Sequence, residues 1–450
     1  MTRRLPHILT IVVLLVFLAG CQTDPAQYKE EAYHPDLYHE TVKQLTDIIV
    51  YDIFSPPVAS RIYAYPNVAA YEIMAQSEPN FESLAGQLTD LTPIPSPQQE
   101  ILAPLSALYA FTEVGHALIF SIDKMEAYQS KLRERYLELG VGESEVQASV
   151  TYGQEVAKHI LDWADKDNYK QTRTFPKYTV NAAAAGRWTP TPPDYMDGIE
   201  PHWNQIRPFI IDSATQFVPN RPPDFDLDPK STFYQDMIEV YETVNKLDDE
   251  QEAIAQFWDC NPYVTHHQGH VMFATKKITP GGHWIGIVKE ACHEAEADWM
   301  TTLEAYTRTS LALADAFISC WDEKYRSNLI RPETVINLHI DEEWRPLLQT
   351  PPFPEYTSGH SVISRAAAVT LTGVFGDNFS FVDSTEVEYG LPARTYGSFL
   401  QASEEAAISR LYGGIHYMPA IEQGVAQGER VGEYVVENLV TRKSQDISQN

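Results

Sequence analysis

Cysteine is nearly absent, at four residues in 450, and that scarcity excludes a disulfide scaffold. Cys260, Cys292 and Cys320 stand far apart with no C-x2-C pair, so no zinc ribbon is encoded and all three are expected to be buried free thiols. Basic charge is also short: 33 Lys and Arg against 62 Asp and Glu leave a formal net charge of -29. No run of Lys or Arg builds the concentrated basic face that a phosphate backbone needs, so nucleic acid is excluded as a partner. With 22 Gly and 30 Pro, collagen-like and low-complexity architectures fall away as well. Long apolar runs are missing too. One stretch, Ile8 to Leu18, concerns a membrane, and it is shorter than the roughly 20 residues a bilayer core requires.

That run is flanked by Arg3 and Arg4 on one side and Leu18-Ala19-Gly20-Cys21 on the other, the layout of a signal peptide. The tetrapeptide resembles the bacterial lipobox, which implies removal of residues 1–20 and a lipid on Cys21. The mature chain, 21–450, is then expected to be a single helical domain, exported and tethered at a periplasmic or outer-membrane surface through that lipid, and monomeric.

Between Pro35 and Asp167 apolar residues recur at helical spacing, as in Leu102, Leu105, Leu108 and Phe111, and strand-like alternation is scarce. The stretch from Gln171 to Lys230 holds ten of the thirty prolines and is expected to be irregular; a segment that long without regular structure is usually functional or wraps the surface. Helical spacing returns in the C-terminal part. Leu303, Tyr306, Ser310, Leu313, Phe317 and Trp321 share one face of a helix running toward Lys324. Further helices are expected from after Thr357 to near Gly376, over Ser398 to Tyr412, and from Pro419, a good first helical residue, to about Leu439. The fold class is all-α and bundle-like.

Three short segments between 320 and 420 carry the chemistry. In Lys324-Tyr325-Arg326-Ser327-Asn328-Leu329-Ile330-Arg331-Pro332, two cations lie seven positions apart and would share a face of a helix. Tyr356-Thr357-Ser358-Gly359-His360-Ser361 opens a helix, where free backbone N–H groups, a glycine and a hydroxyl suit an anion. Ser409-Arg410-Leu411-Tyr412-Gly413-Gly414-Ile415-His416 adds a third cation and a second histidine.

In their joint order these segments resemble the K-x6-R-P, P-S-G-H, S-R-x5-H signature of vanadium-dependent haloperoxidases and the related acid phosphatases. Ser55-Pro56-Pro57-Val58-Ala59-Ser60-Arg61 and Gly186-Arg187-Trp188 are similar to the bacterial, iodoperoxidase-like branch. The resemblance implies a core of two four-helix bundles and a vanadate cofactor held by Lys324, Arg331, Ser358, Gly359, Arg410 and His416, with His416 as the metal ligand. It makes His360 and Lys324 the catalytic groups, hydrogen peroxide and a halide the substrates, and Trp321, Phe353 and Tyr263 the halide pocket. Algal bromoperoxidases of this family have a histidine where Phe353 stands, which argues against that class; iodide, the easiest halide to oxidise and the one the bacterial branch implies, is the expected substrate, with bromide as a weak second. The segment Asn261 to His270 is expected at the entrance, and Asp259 is expected to pair with Arg410.

Two positions depart from the signature. Thr357 replaces a proline that only shapes the turn. Ala420 stands where the phosphatases place an aspartate that charges a nucleophilic histidine, which favours a peroxidase over a phosphatase using a phosphohistidine at His416. A surface lipoprotein that binds an anion without turnover is a third reading. A zinc hydrolase is disfavoured, because Ala297 occupies the place of the second histidine after His293-Glu294.

Overall fold

A computed structural model describes residues 30–181, 183–268, 271–274 and 276–443; the expected signal peptide and Cys21 lie outside them. Fourteen α-helices and two short hairpins make up the regular structure among the described residues. In the N-terminal half these are α1 Asp36–Asp52, α2 Pro56–Ser77, α3 Ala103–Leu118, α4 Ile122–Glu138, α5 Glu143–Ala164 and the single turn α6 Tyr169–Thr172. Next come α7 Thr232–Val244, α8 Asp249–Phe257, the hairpin β1 Thr265–Gln268 with β2 Val271–Ala274, α9 Pro280–Glu294 and α10 Trp299–Ser327. The remainder is α11 Pro332–His339, α12 Gly359–Phe375, the hairpin β3 Phe381–Asp383 with β4 Arg394–Tyr396, α13 Phe399–Tyr412 and α14 Met418–Asn438.

The 29-residue α10 is the shared spine. It is buried on every face from Trp299 to Lys324, the pattern of a helix enclosed by others rather than lying on a surface. On one side it packs against α2, which with α3 and α5 forms the N-terminal bundle. On the other it packs against α9, α12 and α14, with α13 closing the second bundle on α12.

Close helix approach in the second bundle depends on glycine. Gly424, Gly428 and Gly432 recur every four residues on α14, and a Cβ on Gly428 would sit 2.1 Å from the Val362 carbonyl oxygen. A Cβ on Gly424 would meet the Ser358 carbonyl at 3.0 Å. The stripe therefore lays α14 directly on the backbone of α12 and seats the first turn of that helix, where Ser358 caps by accepting from the Ser361 N–H.

Among its described residues the proline-rich 171–230 stretch has only the end of α6 and one 3-10 turn at Trp203–Gln205, as its composition predicts. It is nonetheless anchored. Asp315 on α10, fully buried, accepts hydrogen bonds from the N–H groups of Phe209, Ile210 and Ile211 at 2.7–3.0 Å. Farther upstream, the Ile330 N–H donates to the Gly186 carbonyl and the Trp188 N–H to that of Asn328, so the stretch pairs with the connection that leads to Arg331.

Candidate active site

Lys324 and Arg331 do not share a helix. Asn328 adopts the left-handed conformation (φ 50°) and ends α10, and Arg331 is the residue before α11, which starts at Pro332. The turn, rather than helical periodicity, brings the two cations together. Lys324 is completely buried, and its Nζ donates to the carbonyls of Pro354, Glu355 and Thr357. Burial pulls its pKa down to about 8. Arg331 is equally buried; its Nε donates to the Phe353 carbonyl and its Nη1 to the Ile415 carbonyl. Arg410, on the last turn of α13, donates from Nη2 to the Trp258 carbonyl at 2.7 Å. Desolvation brings both guanidinium groups to about 10, so they remain charged at neutral pH.

Ser358 Oγ accepts from the Ser361 N–H and approaches the Ser361 hydroxyl at 2.8 Å. Gly359 and His360 open onto a narrow cavity whose other walls include Tyr263, Trp321, Phe353 and His416. Phe353 lies 5.0 Å from the Trp321 ring, with Lys324 Nζ at 4.9 Å and the Arg331 guanidinium at 5.1 Å from its centroid. A wider cleft between α1 and α9 contains none of the signature residues.

His416 sits between α13 and α14. Its Nδ1 lies 2.7 Å from Glu355 Oε1, which also accepts the Tyr417 N–H at 3.1 Å. Burial pushes the Glu355 pKa up to about 7 against the opposing pull of Arg331 and Lys324; in its ionised form the carboxylate accepts from both the Tyr417 N–H and His416 Nδ1, so Nδ1 carries the proton and Nε2 keeps its lone pair. That lone pair faces Arg331 Nη1 at 3.2 Å. Burial, then Arg331, Lys324 and Arg410, hold the His416 pKa well below the ordinary histidine value. His360 is kept neutral in the same way, by burial and then by Arg410. It hydrogen-bonds the Trp258 carbonyl, leaving its Nε2 unpartnered.

The set thus joins three buried cations to one hydrogen-bonded carboxylate, and both Arg331 Nη2 and His360 Nε2 are buried polar atoms without a protein partner. An unpaired buried guanidinium N–H and uncompensated positive charge are each costly. An oxyanion satisfies both, and a neutral imidazole nitrogen beside it is a ready metal ligand.

Comparison with known proteins agrees with this arrangement. Residues 304–444 match the family model described as the VCPO second helical-bundle domain. No curated protein matches the chain significantly. Among solved structures, a bacterial vanadium-dependent iodoperoxidase aligns at 56% identity, covering 92% of this chain and 99% of that one, with a TM-score of 0.88. This chain belongs to the vanadium-dependent haloperoxidases. Holo and apo forms of a bacterial vanadium-dependent chloroperoxidase share the fold at 18% and 17% identity, with TM-scores of 0.63 and 0.62; they cover 86% and 85% of this chain and 93% and 94% of their own.

Three expectations need correction for this haloperoxidase. Asp259 makes no hydrogen bond to Arg410: Lys277 Nζ takes its carboxylate, Arg410 turns to the Trp258 carbonyl and to Ser409 Oγ, and Asp259 acts on the guanidinium only through its charge, which opposes the lowering of the Arg410 pKa by burial. Thr357 does more than shape a turn. Its carbonyl accepts from Lys324, and its hydroxyl donates to Gln427, which in turn donates to Ser319. Finally, Ala420 does not leave His416 without a carboxylate, because Glu355 supplies one from a different loop. The missing aspartate therefore carries no weight against a phosphatase. In the sequence the only signal for Glu355 is an acidic residue enclosed by Pro354 and Tyr356 just before the Ser-Gly-His motif. Of the expected entrance segment, Asn261, Pro262 and Tyr263 line the cavity, and the side chains of 265–270 lie outside the described residues.

Proposed function

We propose that this haloperoxidase binds vanadate in the pocket of His416, Lys324, Arg331, Arg410, Ser358 and Gly359, and uses hydrogen peroxide to oxidise iodide. The observation that carries the reading is the neutral, Glu355-oriented His416 beside three buried cations with an unpartnered guanidinium N–H. Identity of 56% to an iodoperoxidase supports the halide. Bound vanadate would supply a vanadium(V) Lewis acid that activates peroxide as the two-electron oxidant of the halide without changing its own oxidation state.

The protein's part is binding and proton handling. His416 offers Nε2 as the ligand atom, and Glu355 holds the ring in the tautomer that leaves this nitrogen free. Arg331 and Arg410 would neutralise the oxyanion with planar donor forks, and Lys324 would add a third positive charge beside it. The Ser358 hydroxyl and the Gly359 N–H donate to it from the helix N-terminus. His360 Nε2 takes the proton of incoming peroxide, a task that needs a neutral imidazole. Trp321, Phe353 and Tyr263 form a largely apolar wall that favours the large, weakly hydrated iodide.

The deciding experiment strips the purified protein with chelator and phosphate, restores orthovanadate, and follows peroxide-dependent triiodide formation. Activity should return with vanadate and be absent in His416→Ala. A second reading, an acid phosphatase acting through a phosphohistidine at His416, draws on the same Glu355 contact. Phosphate-ester hydrolysis inhibited by vanadate, without iodide oxidation, would establish it. Oxyanion binding with neither activity would leave an anion-binding lipoprotein.

The lipobox supports a protein exported to the periplasm or outer membrane and anchored through Cys21. Labelling with a fatty-acid analogue should mark it and be lost in Cys21→Ser. We take the protein to be monomeric, which light scattering of the purified chain tests.

A further inference from the structure

Beside the catalytic cavity, in whose wall Cys260 stands, lies a second cluster of ligating atoms that the peroxidase reaction does not use. Cys260 follows α8, His283 is in the first turn of α9, and Asp383 and Glu386 lie at and after the end of β3. Cys260, His283 and Asp383 are almost completely buried, and Glu386 is 7% exposed. His283 Nδ1 is 3.3 Å from Cys260 Sγ and 3.2 Å from Glu386 Oε1, and that sulfur and oxygen are 3.8 Å apart. The three atoms converge on one point from three separate segments.

We propose that Cys260 Sγ, His283 Nδ1 and Glu386 Oε1 bind a borderline-soft divalent ion of the zinc class. Tetrahedral zinc, with bonds of about 2.3 Å to sulfur and 2.0–2.2 Å to nitrogen or oxygen, has ligand-to-ligand edges of roughly 3.3–3.6 Å. The three separations here lie close to that range. The remaining nitrogen, His283 Nε2, is 2.7 Å from Asp383 Oδ2, the carboxylate contact that metal-bound histidines characteristically make. Asp383 is itself held by the Thr385 N–H through Oδ1. The imidazole plane is fixed by stacking on Trp258 at 4.5 Å and 15°. An ion pair between a histidinium and two carboxylates would not require the thiol at the third corner.

The mixed Cys/His/Glu donor set excludes calcium and magnesium, which take oxygen ligands. Because Trp258 stacks on His283 while its carbonyl receives Arg410, the ion would also brace the backbone behind one vanadate-binding cation.

The test measures metal content and cobalt spectra on the full-length protein, independently of halide oxidation. Purified, dialysed protein should carry close to one equivalent of a zinc-class metal by elemental analysis. Cobalt(II) added to the metal-depleted protein should give a thiolate-to-cobalt charge-transfer band. Cys260→Ser should abolish the band, and Cys292→Ser, at another buried thiol, should leave it. Should Cys260→Ser not fold, Asp383→Asn provides the reading, with an expected 10- to 100-fold loss of metal affinity. His416→Ala should keep the band, which separates this site from the vanadate pocket. Wild-type protein that is metal-free and shows no band with cobalt, or a band that survives Cys260→Ser, would overturn the proposal.

Discussion

Glu355 offers the sharpest test of how the pocket works, because removing it has two effects of opposite sign. Its carboxylate orients His416 by a 2.7 Å hydrogen bond to Nδ1. Losing a bond to a charged group costs about 1.5–3 kcal/mol, and an untethered ring can turn or change tautomer and withdraw Nε2. The same carboxylate also offsets part of the positive charge that attracts the oxyanion. At an effective dielectric near 20, a unit charge some 7 Å away contributes ~2 kcal/mol, so deleting it should strengthen anion binding by a similar amount. Glu355→Ala removes both effects, whereas Glu355→Gln removes the charge and keeps an acceptor for Nδ1. The comparison of the two variants isolates the hydrogen bond. Vanadate should bind the Ala variant about 10- to 100-fold more weakly than the Gln variant, in line with second-sphere partners of metal-bound histidines. Phosphate, which does not need the His416 lone pair, should separate the two far less. Both affinities are read by titrating stripped protein and following recovered triiodide formation, with phosphate as competitor. Equal vanadate affinity in the two variants would refute the orienting role of Glu355.

Lys324, with its pKa lowered to about 8 by burial, bears its charge below that pH and loses it above. Affinity for sulfate, an anion that does not itself titrate there, should fall toward tenfold per pH unit above about 8, and Lys324→Met should flatten that limb. Gly428→Ala places a methyl 2.1 Å from the Val362 carbonyl oxygen and should destabilise the protein by about 3 kcal/mol or more. By contrast, Gly390→Ala, in the left-handed conformation at φ 92° and ψ 10° with open space around it, should cost only about 1–2 kcal/mol; urea unfolding midpoints distinguish the two. Asp315→Ala leaves the N–H groups of Phe209, Ile210 and Ile211 without their acceptor. At about 1–3 kcal/mol for each buried orphan, a loss of at least ~3 kcal/mol is expected, with faster proteolysis of the 171–230 stretch.

Much of the architecture is legible in local sequence. Ser358 and Ser398 cap the helices that follow them, and Pro419 enters α14 in its first turn. The apolar positions from Leu303 to Trp321 announce α10. What periodicity could not register is where a helix must stop for a site to form. The seven-residue spacing of Lys324 and Arg331 suits a continuous helix, yet Asn328 turns the chain between them. Periodicity is likewise blind to the Gly424, Gly428 and Gly432 stripe, whose meaning depends on the carbonyls of α12 lying opposite.

Sequence alone determined the chemistry that resides in single side chains and their order: three cations, a helix-opening Ser-Gly-His, a second histidine, and an acidic remainder that excludes polyanionic partners. Tertiary structure decided how those groups are charged and aimed. Burial lowers Lys324, Arg331 and Arg410 and keeps both histidines neutral, because desolvation penalises charge only once a fold has removed the water. Glu355 instead of a residue near Ala420 orients His416, and Asp259 goes to Lys277 instead of Arg410. Cys260, His283 and Glu386 meet although no spacing relates them. Such partnerships are set by distances across packed helices, and separation along the chain does not encode them.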